Sequence, residues 1–146
     1  MSANVEETIR KLIEKHGADE LRRTLDNQEF HLRQSKCTII ADEMVHEIPD
    51  RLIVGQKYVF SHGNLPIDCD DDLRNALVER VKLLKNFLST QEFKSIRLIY
   101  SGHAVLAAVV KFSVYRISHI ETEDVVYFGG KGYLNIGTYL NDYLRP

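Results

Sequence analysis

The sequence predicts an α/β protein: a Rossmann-like, mostly parallel or mixed sheet flanked by helices, with a helical hairpin at its N-terminal end. Three observations carry this. The stretch 94–130 reads as strand, tight Ser101-Gly102-His103 turn, apolar helix, loop and strand. That is one βαβ unit, whose parallel crossover is nearly always right-handed. Leu73, Leu77, Val81, Leu84 and Leu88 keep a 3.6-residue stripe, with Arg74, Glu79, Arg80, Lys82 and Lys85 pointing away, so an amphipathic helix over about 71–88 feeds that unit. The resulting order of helix, strand, helix, strand in the second half is the signature of a sheet covered by helices.

Taken in order, Val5, Ile9, Leu12 and Ile13 fall on one face of a helix that Gly17 ends. Acidic residues open it and Lys15-His16 close it, as a helix dipole prefers. A second helix runs from Ala18 to about His31 with Leu21 and Leu25 inward. Lys36 to Ala41, rich in β-branched residues, is a strand that Pro49 and its neighbours break. Leu52 to Phe60 is a second strand, with Gly55 as a bulge. After the long amphipathic helix come the strand 95–100, the helix 104–114 and a strand around Val125–Phe128. Gly132 to Gly137 then reads as an edge strand or hairpin arm. The whole is expected to be a single domain over 1–146, with 1–33 a helical segment and 36–146 the α/β core.

The totals bound the function. A chain of 146 residues, 44% hydrophobic and 27% charged, has the make-up of a globular domain. A net charge of -2 gives no support to a general DNA binder or a membrane-surface protein and leaves a local basic patch as the alternative. The longest apolar run, Ala104 to Val110, is too short to span a bilayer. No signal-like opening is present, and Cys37 and Cys69 form no CxxC, so a cytoplasmic location with reduced thiols and no disulfide is expected.

Two loops carry the binding chemistry. Ser101-Gly102-His103 lies where a parallel strand ends and a helix begins, the edge at which open α/β sheets take ligands on free N–H groups. Gly102 lets a ligand approach the backbone, and Ser101 and His103 can hydrogen-bond it; the plainer alternative is that Gly102 merely makes the turn and Ser101 caps the helix. Tyr127-Phe128-Gly129-Gly130-Lys131-Gly132-Tyr133 follows the next strand on the same edge. Gly129, Gly130 and Lys131 suit phosphate, and Tyr127 and Tyr133 suit stacking on a base. Its alternative is an ordinary glycine-rich hairpin turn.

The remaining features point to no reaction. Asp68-Cys69-Asp70-Asp71-Asp72 immediately precedes the long helix and reads as capping and dipole complement, not as a metal site. The histidines at 16, 31, 46, 62, 103 and 119 are unpaired at metal-ligand spacing. GxSxG, HExxH and GxGxxG are all absent, so no catalytic residue, metal ligand or cofactor is assigned. The helix 104–114, with Ala104, Ala107 and Ala108, is apolar almost all round, which fits a buried helix or one facing a second copy.

The run Ile96 to Val110, with the amphipathic helix before it and Val125-Val126-Tyr127-Phe128 after it, resembles the last βα step of SAVED domains, CARF-related sensors of bacterial anti-phage signalling. The likeness covers about 60 residues, from Asp71 to Gly130; His103 stands where such domains often carry a proline. The resemblance implies a binder of a cyclic oligonucleotide second messenger, as sensor or sponge, with the ligand at the strand-end edge. A SAVED domain has two Rossmann-like halves and this chain has room for one, so the resemblance also implies a homodimer and an effector protein that receives the signal. Two other expectations stand beside it. One is a small hydrolase or nuclease using His103 or His62 as general base. The other is a non-catalytic interaction protein associating through the apolar helix and Tyr133, Tyr139 and Tyr143.

Overall fold

A computed structural model describes residues 2–44 and 46–144, with the backbone alone at 2, 3, 29–34 and 140. The chain divides into two compact units, Met1–Arg33 and Gln34–Pro146.

The first unit is a helical hairpin of α1 (Ser2–His16) and α2 (Ala18–Gln34). Gly17, at φ 82°, makes the turn, and its N–H donates to the Ile13 carbonyl at 2.8 Å. Two expectations need correcting. Because α1 begins at Ser2, its first turn holds no acid. Leu25, expected inward, is exposed, as are Val5, Ile9, Leu12 and Ile13.

The second unit is built on β1 (Lys36–Asp42), β2 (Gln56–Ser61), α3 (Asp70–Leu88), β3 (Ser95–Tyr100), α4 (Ala104–Ser118), β4 (Glu123–Phe128) and β5 (Gly132–Gly137). Among the described residues the sheet runs β2-β1-β3-β4-β5. The first four strands are parallel, and β5 returns antiparallel to β4. The α/β class, the mostly parallel sheet and the N-terminal hairpin are therefore as the sequence predicts.

Period-two alternation sorts the strand residues between two faces. Cys37, Ile39, Ala41, Ile96 and Leu98 pack in one core with Leu84 and Leu88 of α3 and with Leu106, Ala107, Val110 and Val114 of α4. On the opposite face Ile40, Ile99, Val125 and Tyr133 pack with Leu52, which belongs to a short 3-10 turn at Asp50–Leu52. That turn corrects the expected start of the second strand. The Thr38 hydroxyl bonds both the N–H and the carbonyl of Val54 at 2.8 Å, and Arg97 Nη1 donates to the Leu52 carbonyl at 3.0 Å. These bonds occupy backbone groups that a strand would need for its ladder. Gly55, at φ 70°, then turns the chain into β2 and forms no bulge.

Helix α4 is longer than expected and not buried all round. It runs on to Ser118 and stops at His119, which takes the left-handed conformation at φ 57° without a glycine to mark it. Packed on one sheet, it can bury only one side. Val105 is 64% and Phe112 75% exposed, and Tyr115 is exposed too. A buried polar cluster pins its middle to the sheet. Lys111 Nζ donates to Asp124 Oδ2 at 2.6 Å and to Thr122 Oγ1 at 3.0 Å; Thr122 Oγ1 donates to Asp124 Oδ1 at 2.6 Å. The Tyr100 hydroxyl completes the shell of Asp124 at 3.3 Å, as a buried carboxylate requires.

Candidate functional site

The strand order creates a crevice. From β1 the chain moves to β2 on one side, whereas from β3 it moves to β4 on the other. Adjacent strands β1 and β3 thus send their following loops in opposite directions, and the space between those loops is where open α/β sheets take ligands. Here the loops after β1, β2 and β3 close around Asp42.

Each contact has a local cause. Ser101 is buried, and its Oγ accepts from the Asp42 N–H at 3.0 Å, tying the ends of β3 and β1 together. Gly102 adopts φ 77°, and a Cβ built there would lie 2.8 Å from Asp42 Cβ, so a side chain at 102 would displace Asp42. Gly63, at φ 78°, is similarly crowded: its Cβ would lie 2.6 Å from Met44. The carboxylate Oδ1 of Asp42 accepts from the Met44 N–H at 3.0 Å. His103 is the N-cap of α4, its Nδ1 accepting from the Val105 N–H at 3.2 Å. The alternative that makes Ser101 the cap does not hold, because its hydroxyl is committed to β1. In neutral His103 the proton is then on Nε2, free to donate.

Between these loops and helices α3 and α4 lies a cleft of about 530 Å³. Its walls are apolar, with Leu65, Leu73, Leu77, Leu106 and Val109, and Asp42 and His103 supply its polar groups. A largely apolar pocket with a few convergent polar groups is the usual form of a small-molecule site.

The second candidate loop is a β-hairpin turn between β4 and β5, closed by the Lys131 N–H donating to the Phe128 carbonyl at 3.0 Å. Because β3 and β4 are parallel, it leaves from the same sheet edge as Ser101. Gly129, Gly130 and Lys131 are exposed on it and do not line the cleft. Tyr127 stacks on His46 with centroids 4.1 Å apart and meets Tyr133 edge-on at 5.2 Å. Tyr133 is only 6% exposed and belongs to the second core. Burial pushes its phenol pKa up. The structure thus places His103 on the cleft and Gly102 against Asp42, which lines it, and sets the hairpin residues apart from it.

Asp42 is the site residue that sequence reading missed. An aspartate ending a strand has no motif around it; the signal available was that a parallel strand ends at the ligand edge. In the acidic run, Cys69 and not an aspartate occupies the N-cap of α3, while Asp70, Asp71 and Asp72 fill the first turn. Cys69 makes no side-chain cap hydrogen bond by geometry, yet the nearby N–H groups of Asp72 and Asp71 lower its thiol pKa. Among the described residues no group of three or more His, Cys, Asp or Glu could hold a metal ion. His62 pairs with Glu43, and the side chain of His31 lies outside the described residues. No helix among the described residues is long and apolar enough to cross a membrane. No protein-family model matches the chain, and neither a curated protein nor a solved structure is significantly similar to it.

Proposed function

We propose that the chain binds a cyclic oligonucleotide second messenger at the strand-end cleft, as a sensor or a sponge. The observation that carries the reading is the apolar cleft at the β1/β3 switch, with Asp42 and His103 on it. In this reading a base enters the cleft and the phosphates stay outside it, along Gly102-His103-Ala104 at the amino end of α4, where the helix dipole favours an anion. Lys131, on the same sheet edge, supplies a cation. The protein then works in the cytoplasm as a homodimer and passes its signal to an effector protein.

A thermal-shift screen against cyclic di-, tri- and tetranucleotides, with linear controls, tests this. A ligand at about 100 times its dissociation constant adds about 2.7 kcal/mol of stability, which raises the melting temperature visibly. The expected result is a shift with one cyclic species that Val105→Trp abolishes by filling the cleft from an exposed position. No shift with any species refutes the proposal. Chromatography of the recovered ligand separates a binder, which returns it intact, from a hydrolase using His103.

The exposed outer side of α4, with Phe112 and Tyr115, favours a second reading as an interaction protein. Sedimentation at micromolar concentration tests it: a strict monomer without any partner removes that reading and the homodimer together.

A further inference from the structure

We infer that the strand-end cleft selects guanine over adenine and that Asp42 makes the choice; the inference rests on the cleft being the nucleotide site proposed above. Among the described residues lining the cleft, Asp42 is the one carboxylate and none is Lys or Arg. An anionic phosphate would meet repulsion from it and no cation, so the part of a nucleotide that enters is the base. The walls offer that base an apolar slot, and its polar edge must therefore be satisfied by Asp42 and His103.

A carboxylate can only accept hydrogen bonds. Asp42 Oδ1 has one lone pair committed to the Met44 N–H at 3.0 Å, and among the described residues no donor is placed on Oδ2. A Cβ at position 102 would stand 3.3 Å from Oδ2, so the absence of a side chain at Gly102 keeps the approach to that oxygen open. Guanine presents N1–H and the N2 amino group side by side, two donors that match the two oxygens of one carboxylate. Adenine presents one amino donor next to the N1 lone pair, which would face a carboxylate oxygen. The second polar group agrees. His103 accepts from the Val105 N–H through Nδ1, so its neutral ring donates through Nε2. A donor complements guanine O6 and opposes the adenine amino group.

The test is equilibrium binding of cyclic di-GMP, cyclic di-AMP, the cyclic inosine dinucleotide and the linear guanine dinucleotide, to wild type and to Asp42→Asn. Asn keeps the shape of Asp42 and an oxygen for the Met44 N–H, but places an N–H₂ donor where acceptors are needed; its melting temperature confirms folding. Wild type is expected to hold the guanine ligand about ten- to a hundredfold tighter than the adenine ligand, the worth of one bidentate contact. The inosine ligand, which lacks the N2 amino group, falls between. In Asp42→Asn the preference shrinks to within about threefold. Equal binding of guanine and adenine ligands by wild type, or a preference undiminished in Asp42→Asn, overturns the inference and leaves the nucleotide site standing. A linear dinucleotide bound as tightly as the cyclic one, with the same base preference, supports Asp42 and overturns the cyclic part of the proposed function. Binding of no nucleotide overturns both.

Discussion

Gly102→Ala tests the join on which the candidate site is built. At φ 77° an L-residue pays about 1–2 kcal/mol for the left-handed conformation. The new Cβ would also sit 2.8 Å from Asp42 Cβ and 3.3 Å from its carboxyl carbon, closer than packed atoms tolerate. Overpacking of this kind costs about 1–3 kcal/mol more, because Asp42 must move while Ser101 holds its N–H. The sum, about 2–5 kcal/mol, is a large part of the stability of an ordinary domain. Gly130→Ala is the control, since it has the same backbone conformation at φ 79° and nothing within 4 Å of its Cβ. It should lose only the conformational part, about 1–2 kcal/mol. Urea unfolding of both variants gives the difference, which the structure assigns to the contact with Asp42. Equal losses would refute the close approach of the β1 and β3 loops.

Three further predictions concern stability and the cysteines. Lys111→Met leaves the buried Asp124 carboxylate without its cation and should cost about 3 kcal/mol, the low end for a broken buried pair because Lys111 is partly exposed; a loss below about 1 kcal/mol in chemical unfolding would show the cluster to be inert. At neutral pH, iodoacetamide should modify exposed Cys69, whose thiol pKa is lowered by the N–H groups of Asp72 and Asp71, and spare Cys37, whose thiol burial pushes up to about 12. Mass spectrometry reads this directly, and modification of Cys37 in folded protein would contradict its burial. Stability should fall as pH rises above about 9. Unfolded thiol and phenol ionise near 9.0 and 10.0, whereas the folded state keeps the protons of Cys37 and of Tyr100, raised first by burial and then by the Asp124 carboxylate. The folded state binds more protons in that window, so this stability is complete below it and lost through it. Tyr100→Phe should flatten the fall above pH 10, and an unchanged slope would refute the assignment.

The βαβ unit and α3 were legible because both write their structure locally. A 3.6-residue leucine stripe and an apolar strand ending in Ser-Gly need no distant partner to be recognised. What failed depends on neighbours. Leu52 is apolar and opens the run that comes after the break at Pro49, so it reads as a strand start; only the bonds of Thr38 to Val54 show why the ladder begins at Gln56. Ser101 is a good helix cap by type, but the adjacency of β1 takes its hydroxyl for Asp42 and leaves capping to His103. The same adjacency hides Asp42 from a reading along the chain, since its place beside Gly102 comes from strand order and not from spacing. The apolar outside of α4 looks like a core helix in sequence, because nothing in its residues says that only one sheet is there to cover it.

The most direct test of the strand-end cleft is an amide NMR titration of the full chain with the cyclic oligonucleotide that gives the largest thermal shift, or with cyclic di-GMP if none does. Chemical-shift changes are expected to gather at Gly63, Gly102, His103 and Val105 and to saturate with the binding isotherm. Unchanged signals there, or changes confined to the outer face of α4 at Phe112 and Tyr115, would contradict it.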